Sequence, residues 1–352
     1  MRVKKNLLIL FGGMSNEHDI SQLSVKNIIR NVNREDYNVY IVGITKMGRW
    51  VLVRDVDEIE NKSWIYGDRN AYLLPDREKH ALMILEDDVL IDTISIDVCF
   101  PVLHGKNGED GTIQGLLELA GIPYVGSGVL SSAICLDKFV TKSMVADLGI
   151  DQARYIAVNT REYITIDSID KQIQDEFGYP VFVKPSNSGS SLGITRVESK
   201  DGLEAAINLA SKECKVILIE EEIRGREVEC AVFGDRVARA LSIGEIISAD
   251  KFYSYEAKYI NSESKTVVDP KLPDGVDDKI FEASTRIYET LDCYSLARVD
   301  FFIEEGTNRV VFNEINTMPG FTNISMYPML AQDAGMSTRE LVDALLETAF
   351  KR

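Results

Sequence analysis

A chain of 352 residues with 45% hydrophobic content can fill the cores of two or three domains, at roughly 100 to 150 residues per domain. Its formal net charge of −17 excludes a general nucleic-acid surface, because phosphate binding needs a basic stripe. No stretch approaches the roughly 20 apolar residues of a membrane helix, and the run Leu7 to Phe11 falls short of the roughly 7 to 15 residues of a signal-peptide core, so a cytoplasmic protein with no membrane partner is expected.

Any anionic ligand must then be met by locally placed lysines and arginines. Cys99, Cys135, Cys214, Cys230 and Cys293 are odd in number and widely spaced, the pattern of buried free thiols. With only three histidines, a hard-cation site with oxygen ligands fits better than a His-rich zinc site.

From residue 6 to about 126, short apolar runs alternate with helical periods: NLLILFGG, a helix from about Ser21 to Val32, YNVYIVGIT, SIDVCFPVLHG and a helix in TIQGLLELAG. That alternation predicts an α/β unit with a mainly parallel sheet. Residues 127 to 219 open with helices in SSAICLDKFVTKSMVADLG, then give PVFVKP, a glycine-serine loop and LGITRV, the outline of a hairpin. Beyond 220, REVECAVFG and VARALSIGEII read as antiparallel strands. The polar stretch from about 248 to 270 is long for a plain connection and reads as a mobile lid. A helix around Asp278 to Leu291 precedes SLARVDFFIEEG and NRVVFNEINT, two strands turned about Gly306 into a hairpin. The closing STRELVDALLETAF carries Ser337 and Glu340 at capping-box spacing.

Within FNEINTMPGF, strand alternation puts Glu314 and Asn316 on one face with Ile315 pointing away. Folding the hairpin at Gly306 brings Asp300 opposite residues 312 to 314, and period two places Arg298 on the face of Asp300. Three gathered oxygen donors suit Mg²⁺, whose remaining positions go to water and phosphate oxygens. The alternative is a solvated sheet face with an internal salt bridge.

In VFVKPSNSGSSLGI, Lys184 ends a strand and Ser186, Ser188, Gly189, Ser190, Ser191 and Gly193 follow. Small residues let backbone N–H groups approach phosphate. Walker A spacing is absent, and a ligand-free serine turn is the alternative; Lys184 beside the loop favours an anion site. The adjacent glycines of FGGMSNEHDIS lack both the G-x-G-x-x-G pattern and the acid about 20 residues on, which disfavours a nicotinamide cofactor. Glu17 and His18 lie on the loop entering the first helix, where an acid commonly complements the helix N-terminus.

His104 stands at the carboxyl end of a strand, where ligands gather in open α/β sheets, or it simply hydrogen-bonds nearby backbone. Glu109 and Asp110 read as helix N-terminal acids. Phe252, Tyr253, Tyr255, Lys258 and Tyr259 interleave in the lid stretch, either closing over a ligand or packing on the body.

The segments FGGMSNEHDIS, VLHGKNGEDGTIQG, LDKFVTK, VFVKPSNSGSSLGI, ILIEEEIRGREVE, FYSYEAKY, LARVDFF and NEINTMPGFTNISMYP run in order along nearly the whole chain, which resembles the D-alanine:D-alanine ligases of the ATP-grasp superfamily. The resemblance implies a three-domain α+β and α/β architecture, an ATP-grasp fold with an N-terminal parallel-sheet domain. Its parts would be a substrate domain at 1–126, a central ATP-grasp domain at 127–219 and a C-terminal ATP-grasp domain at 220–352, with ATP between the last two. It also implies Lys138 and Lys184 at the nucleotide phosphates, Glu220 and Glu227 at the adenine amino group and ribose hydroxyls, and Lys258 at the γ-phosphate. Family members usually have a lysine after the first of those acids, where this chain has Glu221. Asp300, Glu314 and Asn316 would hold two Mg²⁺ ions, or Mn²⁺.

The implied reaction phosphorylates one D-alanine carboxylate and lets the amine of a second attack the acyl phosphate, as in peptidoglycan precursor synthesis. Glu17 would bind the first ammonium, with His104 near the first carboxylate. Arg298 and the Gly320 N–H would stabilise the oxyanion. Ser325 and Met326 would receive the second carboxylate, and Glu17, Ser190 and Tyr259 would form a hydrogen-bonded set completed by the lid. A homodimer is implied as well. The rivals are ligases of D-serine or D-lactate and a non-catalytic ATP-binding regulator. Retention of YEAKY argues against lactate, and apolar Met326 favours alanine over serine. Loss of Asp300, Glu314 or Lys258 would mark the regulator, and all three are present.

Overall fold

The computed structural model describes residues 3–162, 165–189, 192–235, 237–247 and 265–352. Three sheets succeed one another along the chain. The first has seven strands, β1 (Lys5–Gly12), β2 (Tyr37–Ile44), β3 (Trp50–Val53), β4 (Arg69–Leu73), β5 (Ala81–Glu86), β6 (Val89–Ser95) and β7 (Val98–Val102), in the order β6-β5-β4-β3-β2-β1-β7. Only its β2-β1-β7 portion is parallel; β3 to β6 pair antiparallel. The expected mainly parallel sheet is therefore corrected to a mixed one. Connection length is the cause. Helix α1 (His18–Asn31) crosses over between β1 and β2, whereas β2 reaches β3 through a tight turn in which Gly48 sits at φ +83°, too short for the dozen or more residues a parallel crossover needs.

The second sheet, β10-β9-β11-β8, is antiparallel and comprises β8 (Tyr155–Asn159), β9 (Val181–Pro185), β10 (Thr195–Val197) and β11 (Val216–Glu221). The β9–β10 pair is the expected hairpin. Helices α6 (Ile166–Glu176) and α7 (Lys200–Ala210) cover one face, with Ile169, Ile173, Leu203 and Ala206 packed on Val181, Val183 and Ile217. Before this sheet come α2 (Val56–Glu60), α3 (Thr112–Ala120), α4 (Val129–Leu136) and α5 (Lys138–Ala146).

The third sheet, β14-β13-β12-β15-β16, is also antiparallel: β12 (Gly225–Gly234), β13 (Ala238–Ile247), β14 (Lys265–Val268), β15 (Ser295–Glu304) and β16 (Val310–Asn316). Of the stretch read as a lid, 248–264 lies outside the described residues, and Lys265–Val268 form a strand on β13. Helix α8 (Val276–Thr290) packs beneath β12 and β15 through Val276, Ile280 and Ile287. The chain closes with α9 (Met326–Asp333) and α10 (Thr338–Ala349), whose start is the expected capping box between Ser337 and Glu340.

One core spans the first and third sheets. Ile9, Phe11 and Phe100 share it with Ala231, Leu296, Phe321, Tyr327 and Leu345, so α9 and α10 are sandwiched between the two. That shared core presses the segment after β16 against α1 and the end of β7.

Candidate active site

Along the middle of the third sheet, Asp300 on β15 has Glu229 of β12 as its neighbour on one side and Glu314 of β16 on the other. Arg298, two residues earlier, is opposite Asn316. The face-sharing read from alternation is thus present, but it depends on an irregularity. Phe301 pairs with Phe312 while Asp300 pairs with Glu314, so Asn313 is an extra residue, a β-bulge. Phe301 and Phe312 meet edge to face in the core with ring centroids 6.0 Å apart. Counted in twos from Phe312, Glu314 would follow it into that core; the bulge turns Glu314 and Asn316 out to the site and Ile315 inward.

Arg298 is the cation of this face. Its Nε and Nη2 donate to the two carboxylate oxygens of Asp300 at 2.8 and 2.7 Å, and Nε lies 3.1 Å from Glu229 Oε2. Burial works against its charge, but Asp300, Glu229 and Glu314 outweigh burial and hold the guanidinium firmly protonated. Asn316 donates through Nδ2 to Asp300 Oδ2 at 3.0 Å. Glu229 did not figure among the sequence candidates, although it follows Glu227 by two residues on the same strand and so shares its face.

Two lysine clusters face the nucleotide side expected from the sequence. Lys138, the first residue of α5, donates to Ser188 O at 3.0 Å and pairs with Glu314 Oε2 at 2.9 Å. This single side chain links the serine loop to β16. Lys184, at the end of β9, pairs with Glu220 Oε2 at 2.7 Å, and Lys142, almost wholly buried one helical turn beyond Lys138, lies 3.3 Å from Glu220 Oε1. Burial raises the Glu220 pKa, but Lys142 and Lys184 overcome it and pull the carboxyl down to about 2. Lys142 was missed by the sequence reading; its place four residues after Lys138, on the same helix face, was the available signal. Glu227 is half-buried on β12.

On the N-terminal side, Glu17 occupies the N-cap of α1 but makes no side-chain capping bond. Its carboxylate turns instead toward the loops: a side chain added at Gly105 would collide with Glu17 Oε2, and one at Gly189 would come within 3.1 Å of it. Glu109 departs from its sequence reading. Asp110 is the acid that serves the start of α3, accepting from Thr112 N at 3.0 Å. Glu109 is buried and accepts from Gly105 N at 2.8 Å and Met318 N at 2.9 Å. Burial, with the Glu17 charge nearby, raises its pKa to about 8. Adjacent acids look alike in sequence, and only the fold separates them.

His104 uses both ring nitrogens on protein: Nδ1 is 2.8 Å from Met318 O and Nε2 is 3.0 Å from Ser24 Oγ. Because a carbonyl can only accept, Nδ1 carries the proton and Nε2 accepts; burial, which lowers its pKa, agrees with a neutral ring. In the turn from Met318 to Thr322, Met318 N is held by Glu109, Phe321 N by Ser24 Oγ at 3.0 Å and Thr322 N by Ser325 Oγ at 3.0 Å. Pro319 has no N–H. Gly320 N–H is therefore the one donor of this turn with no acceptor among the described residues.

These groups meet. Glu17, His104, Glu229, Arg298, Glu314, Asn316, Gly320, Ser325 and Met326 all line one cavity of about 210 Å³, and a neighbouring one of about 40 Å³ is bounded by Glu17, Glu109, Lys138, Gly189 and Glu314. Ser325 precedes α9, and Met326 begins it, packing over Gly244 of β13. Ser190, Lys258 and Tyr259 lie outside the described residues. Among those described, no trio of acidic, histidine or cysteine side chains forms a ready cage for a metal.

An antiparallel sheet carrying acids and an arginine, with lysines of a second antiparallel sheet and helix turned toward it, is the arrangement of an ATP-grasp protein. Known proteins agree. Residues 6–127 match the model described as D-ala D-ala ligase N-terminus, and residues 144–347 match that of the D-ala D-ala ligase C-terminus. A D-alanine–D-alanine ligase of Caldicellulosiruptor bescii is 47% identical over 350 residues, covering 99% of this chain and 96% of the relative. Among solved structures, the VanG D-Ala:D-Ser ligase from Enterococcus faecalis superposes with a TM-score of 0.89 at 34% identity, covering 99% of this chain and 100% of that one. The D-alanine–D-alanine ligase from Bacillus anthracis complexed with ATP gives 0.72 at 29% identity, covering 99% and 98%. The chain belongs to the D-alanine–D-alanine ligase family.

Proposed function

We propose that this protein joins two D-alanines into D-alanyl-D-alanine at the expense of ATP, through a D-alanyl phosphate, for peptidoglycan precursor synthesis. Full-length family membership supports it. The observation that carries the chemistry is that Arg298, Gly320 with its open N–H, and Glu17 line one cavity. Acyl transfer develops negative charge on the carbonyl oxygen, and in this reading these two donors receive it. Glu17, whose carboxylate is not spent on capping, takes the ammonium of the first D-alanine. His104, both of whose nitrogens are engaged, acts on the first substrate's carboxylate region by fixing the turn beside it. Ser325 and Met326 open α9, and a helix N-terminus suits the second carboxylate.

In this reading Lys138 and Lys184 bring positive charge to the ATP phosphates, where catalysis is largely positioning and electrostatics. Glu220 and Glu227 serve the adenine and ribose, and Ser190, Lys258 and Tyr259 complete the set. The division at 1–126, 127–219 and 220–352 follows, with ATP between the last two parts. Asp300, Glu314 and Asn316 would hold two Mg²⁺ ions, or Mn²⁺. Two carboxylates and a carboxamide are too few for a full cage, as suits an ion that shares its sphere with phosphate oxygens, and both acids already attract cationic side chains, Arg298 and Lys138. The ions would offset charge on the transferring phosphoryl group.

A cytoplasmic homodimer is the proposed state. Its support is the outermost strand β6, whose Val89, Leu90 and Ile91 are exposed beside an unpaired edge; sedimentation equilibrium tests it.

The test of the reaction is product analysis with ATP, Mg²⁺ and D-alanine, D-serine and D-lactate in competition. D-alanyl-D-alanine with ADP and phosphate is the expected outcome. The likeness to the VanG structure favours D-serine as a second reading, and predominance of D-alanyl-D-serine would establish it. Apolar Met326 on the cavity wall favours the methyl group of alanine. Gly244→Ala probes that wall: the new methyl would collide with Met326 Sδ, and a flexible thioether yields at little cost in stability. Displaced into the cavity, it should raise KM for the second D-alanine about tenfold, the scale of one misplaced methylene, with ATP KM unchanged.

A further inference from the structure

We infer that Ser24 and Asn27, on α1, are positioning residues for the ligation step: they aim Gly320 N–H at the reacting carbonyl oxygen by fixing the residue that follows it. The inference rests on the proposed reaction. Ser24 Oγ accepts from Phe321 N at 3.0 Å, and Asn27 Nδ2 donates to Phe321 O at 2.9 Å. The backbone donor and acceptor of Phe321 are thus both gripped by one face of one helix, at the i and i+3 spacing that puts two side chains together.

The Phe321 ring is buried too, with its centroid 6.3 Å from that of Phe100 and 6.2 Å from that of Tyr327. Upstream, Met318 is held through its N–H by Glu109 and through its carbonyl by His104. Ser24 joins the two grips: its hydroxyl accepts from Phe321 N and donates to His104 Nε2, whose ring passes the chain on to Met318 O. The hydrogen-bonded series starts after Gly320 and ends before it.

Ser24 is 0% exposed, so its hydroxyl meets neither solvent nor substrate and acts only through the turn. Pro319 removes a further freedom by fixing its own φ immediately before Gly320. An oxyanion donor must be set to within about 0.5 Å to act. Here that precision comes from a helix in the N-terminal part of the chain, while Arg298, the other donor, is anchored in the third sheet.

A purely structural role, satisfying two buried backbone groups, would weaken all steps alike. The two are separated by measuring each half-reaction. Steady-state dipeptide formation reads ligation, and scrambling of the β,γ-bridge oxygen of isotope-labelled ATP with D-alanine reads phosphorylation. Ser24→Ala should lower the dipeptide kcat by up to about 10²-fold, the scale of a displacement on the order of 1 Å. Scrambling and ATP KM should stay within about twofold of wild type. Asn27→Ala, which leaves the Ser24 grip intact, should show the same selectivity with a smaller loss and serves if Ser24→Ala does not fold. Ser24→Thr should restore ligation. Unchanged ligation in both alanine variants, or parallel loss of ligation and scrambling, would overturn the inference. Wild-type protein that forms no dipeptide would instead overturn the proposed reaction.

Discussion

Arg298→Ala is expected to lower kcat by about 10² to 10³-fold, the usual cost of one lost oxyanion donor, and to destabilise the fold by about 3–5 kcal/mol, the cost of breaking a buried ion pair from one side. Both follow from its position. The guanidinium lies between Glu229 and Asp300, with Glu314 beyond, so removing it strands acids at the centre of a sheet. Arg298→Lys separates the two effects. A lysine keeps the charge but cannot reproduce the paired Nε and Nη2 contacts to Asp300, so stability should largely return while kcat stays low. Urea denaturation and steady-state kinetics on the two variants decide it. An Arg298→Lys enzyme as fast as wild type would remove the directional role and leave a simple counter-charge.

The second large effect belongs to Glu220. Glu220→Gln leaves Lys142 and Lys184 close together, Lys142 almost wholly buried, and should cost about 3–5 kcal/mol at neutral pH. Its pH dependence has a definite sign. The carboxyl falls from an ordinary 4.5 to about 2 in the folded protein, so its stabilisation is complete above the unfolded value and is lost as pH falls toward the folded one. The gap between wild type and Glu220→Gln should therefore be constant from neutrality down to about pH 5 and close between about 4.5 and 2. Chemical denaturation at a series of pH values measures that gap. A gap that widened on acidification would mean that the two lysines do not govern this carboxyl.

How much of this was legible in the sequence depends on the range of the contact. The β15–β16 hairpin was readable because its turn and both strands are contiguous, and alternation placed Asp300, Glu314 and Asn316 together. Glu229 obeyed the same rule and could have been read from Glu227. The bulge at Asn313 could not, since an extra residue in one strand is defined only by its partner. Lys142 and Glu220 come from α5 and β11, and the packing of helix against sheet that joins them has no local signature. Glu109 reaches across 209 residues to Met318, which is why it was indistinguishable from Asp110. The first sheet was misread as mainly parallel because apolar runs announce strands without announcing direction, and direction was set by a turn at Gly48. Ser190, Lys258 and Tyr259 fall outside the described residues.

The bulge at Asn313 has a genetic consequence. A regular strand alternates strictly, and the bulge lets β16 carry one codon more than its ladder with β15 uses. In-frame deletion of the single Asn313 codon would make Glu314 follow Phe312 directly, still opposite Asp300, with Ile315 still inward and Asn316 still outward. Insertion of a codon between Glu314 and Asn316 has no such slack and would separate the two donors onto opposite faces. The reading frame of the site is thus tolerant at one codon and intolerant two codons later.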